Sequence, residues 1–235
     1  MKYKLLGLSA CAVAIILSIL APLFFTGHSK AARIHQHQQA IPTYECTETD
    51  DGGLCTYLPI VEINTNGVEI PGRPISRTGN NTHYTTAADG STTISARIQI
   101  IGTDSSEYHH ANDSADLTSY IRIRVRGNSS RYFDKPSYAI RLVDAAGNNA
   151  SASVMGMDAH HEWVLYGPWL DKTAIRNYMF YNLAGELMDY APNVRFCEVI
   201  LNGEYQGLYV MTESITAGKN GARLALTVNA KKHSY

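Results

Sequence analysis

Apolar and polar positions alternate most strictly over Tyr120–Leu142, YIRIRVRGNSSRYFDKPSYAIRL. Ile121, Ile123 and Val125 fall on one face, and Arg122, Arg124 and Arg126 on the other. Tyr138, Ile140 and Leu142 repeat the alternation with Arg141 opposite. A period of two predicts two strands, each with one buried face. The turn formers Gly127, Asn128, Ser129 and Ser130 join them. Upstream, LPIVEINTNGVEI places two short apolar runs around Asn66-Gly67, which predicts a tight hairpin, and TISARIQII predicts a further strand. The stretch Pro71–Asp89 is rich in turn residues and reads as an exposed loop, as do Gly102–Thr118 and Asp144–Ser153.

Downstream, EWVLY predicts a short buried strand ended by Gly167-Pro168. A helix is expected from Asp171, with Ile175, Met179, Leu183 and Leu187 as a stripe at spacing four, and Pro192 stops it. Asp171 or Thr173 suits its cap. VRFCEVIL and EYQGLYVMTE flank Asn202-Gly203, the strongest hairpin signal of the chain. A two-residue turn sets Leu201 against Glu204 and Ile200 against Tyr205. Continued without interruption, that register sets Phe196 against Tyr209 and leaves Gly207 facing Glu198.

The ends change this picture. Lys2 and Lys4 precede an uncharged run, Leu5–Phe25, long enough to span a bilayer as a helix. The positive-inside rule then puts the remainder outside the cytoplasm, on a single-pass cell-membrane protein. A signal peptide cleaved near Ser29–Ala32 is the alternative. Gly27–Gln39, with His28, His35 and His37, reads as a polar spacer. On the translocated side Cys46 and Cys55 suit a small disulfide loop better than a zinc pair, since no second pair of matching spacing exists. His109 and His110 show no partner set in the sequence. A net charge of −1 gives no sign of a nucleic-acid partner.

The motifs RGNSSRYFDKPSYAIRL, WVLYGPWLDKTAIRNYMFYNLAGEL and EVILNGEYQGLYVMTESI resemble, in order, those of the spore-coat protein H (CotH) kinase family, over about Leu58 to the last residue. The family pattern carries two lysines before its Ser-Tyr, and Pro136 stands at the second. The resemblance implies an α+β fold, an antiparallel sheet with one main packed helix like the N-lobe of an atypical protein kinase, here preceded by a transmembrane helix. The expected divisions are a 1–27 anchor, a 28–57 spacer, a 58–118 β-rich part and a 119–235 N-lobe.

It implies ATP with Mg²⁺ as the family's requirements and Ser on a coat or surface protein as acceptor. Lys135 matches the first lysine of the pattern and is expected at the nucleotide phosphates, with Arg126 beside the Gly-Asn-Ser-Ser turn. Glu186 is the expected helix partner of Lys135, and Glu213 the residue leading to the adenine-holding hinge. No aspartate follows Asp189, so the catalytic and metal-binding acids are expected in a C-lobe this sequence does not contain, and the chain is expected to be inactive alone. Two other readings stay open. One is a non-enzymatic surface or coat scaffold that binds another envelope protein. The other is a binder of phosphate polymers through Arg122, Arg124 and Arg126.

Overall fold

The structure is a computed structural model that describes residues 33–46, 53–79, 81–103, 105–188 and 190–216. Its strands are β1 (Cys55–Thr56), β2 (Ile60–Asn64), β3 (Pro74–Thr78), β4 (Asn81–Tyr84), β5 (Ile94–Ile101), β6 (His109–His110) and β7 (Leu117–Arg126). They continue as β8 (Ser137–Val143), β9 (Ala152–Val154), β10 (Met157–His160) and β11 (Glu162–Tyr166). Helix α1 (Arg176–Leu187), β12 (Val194–Leu201) and β13 (Glu204–Glu213) follow. Seven strands close into a barrel in the order β11-β13-β12-β2-β5-β7-β8, with β8 returning to β11. Every pairing in it is antiparallel except β12 with β2.

The period-two pattern dictates what fills it. Ile121, Ile123, Val125, Tyr138, Ile140, Leu142, Trp163, Leu165, Cys197, Val199, Tyr209 and Met211 share one buried core with Val61, Ile63, Ile98 and Ile100. Closure leaves no barrel edge unpaired, so the ladder hydrogen bonds are made internally.

Three expectations are corrected here. The fold is not an α+β sheet built around a packed helix in the manner of a kinase N-lobe; among the described residues it is a mainly β, closed barrel with one α-helix on its outer surface. The helix also presents a different face. Tyr178, Asn182 and Gly185 are buried, whereas Ile175, Met179, Leu183 and Leu187 are 46–78% exposed. Tyr178 decides this, because its ring stacks on Phe196 of β12 at 4.5 Å in a small core with Val194 and Val210. Finally, among the described residues no helix is long and apolar enough to cross a membrane. The single-pass placement is therefore not carried forward, and Leu5–Phe25, which suggests it, lies outside the described residues.

Local departures have identifiable causes. No hairpin forms at Asn66-Gly67, because β2 pairs with β5 and β12 instead. Asn202 reinforces that choice: its Oδ1 accepts from Thr65 N at 2.8 Å, and its N donates to Ile63 O. Pro71–Asp89 contains the β3–β4 ribbon. In the last hairpin Leu201 opposes Glu204 and Ile200 opposes Tyr205, but a bulge then shifts the register by one. Gly207 (φ +83°) lies at this bulge and faces Val199. Tyr209 therefore faces Cys197, and Phe196 faces Val210.

Candidate functional site

Outward-facing residues of β7, β8 and β11 build a cleft of about 650 Å³ on the barrel surface. Its walls carry Arg122, Arg124, Arg126 and Arg141, with Ala139 and Val164 between them. The inward apolar alternation fixes this arrangement, because burying Ile121, Ile123 and Val125 forces the arginines to the other face. The register then sets Arg122 directly opposite Arg141, and Arg124 opposite the small Ala139. Like charges directly opposite in a ladder are destabilising. Only part of this is compensated: Arg141 Nη2 donates to Glu162 Oε1 at 2.7 Å, and Arg122 Nη1 to Ser95 Oγ at 2.7 Å. Partial burial, and then the charges of Arg131, Arg126 and Arg141, pull the Arg124 guanidinium below its ordinary value. Guanidinium groups so gathered have the donor geometry that suits an anion with several oxygens.

A second hollow of about 150 Å³ shares Arg126, Val164 and Ser214 with this cleft. Tyr166, Asn177, Tyr181, Thr212, Glu213 and Ile215 complete it. Glu213 is 3% exposed and fixed at the end of β13; its Oε2 accepts from Asn193 N at 2.9 Å. Two of the four residues singled out in the sequence, Arg126 and Glu213, thus meet in one hollow.

Lys135 and Glu186 go elsewhere. The Lys135 ammonium sits 4.6 Å from the centre of the Tyr209 ring, beside Gly207, and lines neither hollow. Burial lowers its pKa, opposed by the charge of Glu198. A Cβ on Gly207 would stand 3.1 Å from Nζ, so the glycine makes room for the lysine. The expected Lys135–Glu186 pair does not form, because Glu186 Oε1 lies 2.8 Å from His35 Nε2.

The β7–β8 connection is held from outside by a residue the sequence did not flag. Arg73 donates to the carbonyls of Arg131 (3.2 Å), Phe133 and Asp134 (3.3 Å). Arg131 Nε donates to Gly127 O at 2.7 Å. Gly127 (φ +115°) has no space for a Cβ, which would fall 1.9 Å from Ser130 Oγ. The Gly-Asn-Ser-Ser turn is thereby shaped by its own contacts.

The family model described as CotH kinase protein matches residues 123–232. That segment is similar to the CotH kinase family. The match starts within β7, later than the Leu58 from which the motifs resemble the family, and covers just under half of the chain. The CotH segment therefore supplies only the C-terminal end of β7, from Ile123 to Arg126, with β8, β11, α1, β12 and β13, while β2, β5 and the start of β7 come from outside it. Arg124, Arg126, Arg141 and Glu213 all lie inside the CotH match, and Arg122 immediately precedes it. No curated protein matches the chain.

Proposed function

We propose that the arginine cleft of the CotH segment receives the phosphates of ATP in a kinase-type reaction, with Ser of a coat or surface protein as the acceptor. The observation that carries this is the row Arg122, Arg124 and Arg126 facing Arg141 across a recess, inside or adjoining the segment that matches a kinase family. Phosphoryl transfer depends almost wholly on positioning and charge neutralisation. Guanidinium forks supply both, since each grips two phosphate oxygens in a fixed plane. The shared hollow at Tyr166, Tyr181 and Glu213 adjoins Arg126 and is placed to take the part of the nucleotide beyond its phosphates.

The donor set fits a triphosphate but does not fit Mg²⁺. Among the described residues no group of three carboxylates converges, and of the acids lining the two hollows Glu162 pairs with Arg141 while Glu213 accepts from Asn193. The role proposed for the described residues is to hold and orient the nucleotide.

The test is equilibrium binding of a fluorescent ATP analogue to the chain and to Arg124→Ala, followed by transfer of radiolabel to a Ser-rich coat protein. One charge-assisted contact contributes about 1.5–3 kcal/mol. Arg124→Ala should therefore weaken binding by roughly tenfold or more. Binding should also fall as salt rises, because the cleft is open to solvent. Unchanged affinity in Arg124→Ala would remove the proposal.

A second reading rests on a different observation. The exposed row Met179, Phe180, Leu183 and Leu187 is an apolar strip of the kind that contacts another protein. A coat or surface scaffold using that strip would hold its partner equally well with and without ATP, and that comparison separates the two.

A further inference from the structure

Outside the arginine cleft, three metal-ligating side chains converge on the short ribbon formed by β1 and β6. The register sets Cys55 directly opposite His110. Cys55 is joined to Cys46 in a disulfide, and His110 Nε2 lies 3.3 Å from Cys46 Sγ. The two sulfurs and the imidazole nitrogen all lie within 4.8 Å of one another, and the three residues are half-buried. Ligands of a tetrahedral zinc ion stand about 3.5–3.8 Å apart, given its usual bond lengths. The Sγ–Nε2 distance is already close to that spacing.

A carboxylate stands behind the histidine ring. Asp113 Oδ2 lies 3.7 Å from Nδ1, the ring nitrogen other than the one near the sulfurs. The same carboxylate oxygen accepts from His110 N at 2.7 Å, and Asp113 N donates to His110 O at 3.1 Å. A carboxylate behind the ring is the usual means of presenting the other imidazole nitrogen to a metal. The ribbon is also anchored: Leu54, Ala111 and Ala115 pack on Ile60, Ile101 and Ile200 of the barrel.

We propose that Cys46, Cys55 and His110 form a redox-gated site for a zinc-type divalent ion, closed while the disulfide is intact and opened by a dithiol reductant. The dithiol supplies two electrons and two protons. The Cys46–Cys55 bond breaks, two thiols form, and the reductant becomes a disulfide. Each thiol loses its proton as a thiolate–metal bond forms, so uptake of one ion releases two protons to solvent. Two thiolates and neutral His110 balance the ion's charge and leave a fourth position for water or an incoming donor.

The site is read with cobalt(II), whose thiolate charge-transfer band reports sulfur ligation. The full chain is used with Cys11→Ser, which leaves the pair and the buried Cys197 as its only thiols. After dithiol reduction and removal of reductant, one cobalt per chain should bind with that band, and zinc should displace it. The oxidised chain should show no band. His110→Ala should weaken binding at least ~10-fold, and Asp113→Asn by about 10–100-fold. Near-ultraviolet circular dichroism identifies any variant that fails to fold. In that event the protection of Cys46 and Cys55 from alkylation by zinc, measured on the unmutated pair, decides. A reduced chain with no band and no protection overturns the site, as does full affinity in folded His110→Ala or equal binding by the oxidised chain.

Discussion

Single side chains here carry more than one constraint, and Asp171 shows how. It is 6% exposed and precedes α1 by a turn. Its Oδ1 accepts from Thr173 Oγ1 at 2.6 Å and Thr173 N at 3.2 Å, while Oδ2 accepts from Arg176 N at 2.8 Å. The Thr173 hydroxyl is the main reason its carboxyl lies below the ordinary range, helped by the two backbone donors and Arg176. A depressed folded-state pKa means that the stabilisation is present above the unfolded value of about 3.9 and fades as pH falls through the folded one. The melting-temperature gap between the chain and Asp171→Asn should therefore be clear at neutral pH and shrink below about pH 4. A gap of constant size would count against the carboxylate as the source. The sequence marks Asp171 or Thr173 as the cap of a helix opening there, but the helix starts at Arg176 with Ile175 at its N-cap position, and Asp171 reaches it by accepting from Arg176 N. The neighbours of Lys135 and Glu186 were not legible, because His35 reaches Glu186 from 151 residues away and a register bulge, not a motif, carries Tyr209 to its place.

Among the elements, the strands were the most legible and the helix face the least. β7, β8, β12 and β13 follow from alternation and from Asn202-Gly203, which local sequence displays in full. The outward turn of α1 does not, since its packing face is made of Tyr178, Asn182 and Gly185 while its apolar stripe lies in solvent. Hydrophobic spacing alone selects the wrong side. Tyr178 instead joins β12 and the upstream segment: its hydroxyl accepts from His37 N at 3.0 Å, and Gln36 bonds both N and O of Phe196. Truncating Tyr178 to Ala should cost about 3 kcal/mol in denaturant unfolding, as for other buried aromatics. Leu183→Ala, on the exposed stripe, should stay within about 0.5 kcal/mol. Similar losses for both would mean that the stripe is covered in solution.

At the scale of the whole molecule, closure of the barrel joins the CotH segment to strands outside it. β2 and β5 complete the ring, and β2 does so by the one parallel pairing, with β12. Such long-range closure leaves no local signature, which is why an open sheet is the natural expectation from alternation. Closure also separates two basic features that are neighbours in sequence. The arginines of β7 face outward into the cleft, whereas Lys135 turns to the Tyr209 ring. The central claim is that phosphate is bound by the arginines. It is tested most directly by following the Nε–Hε signals of Arg122, Arg124 and Arg126 by nuclear magnetic resonance while ATP is added. The predicted result is saturable shifts of the Arg124 and Arg126 signals, with the aromatic signals of Tyr209 unmoved. Shifts confined to Tyr209 and the Lys135 side chain, with the arginine signals unchanged, would contradict it.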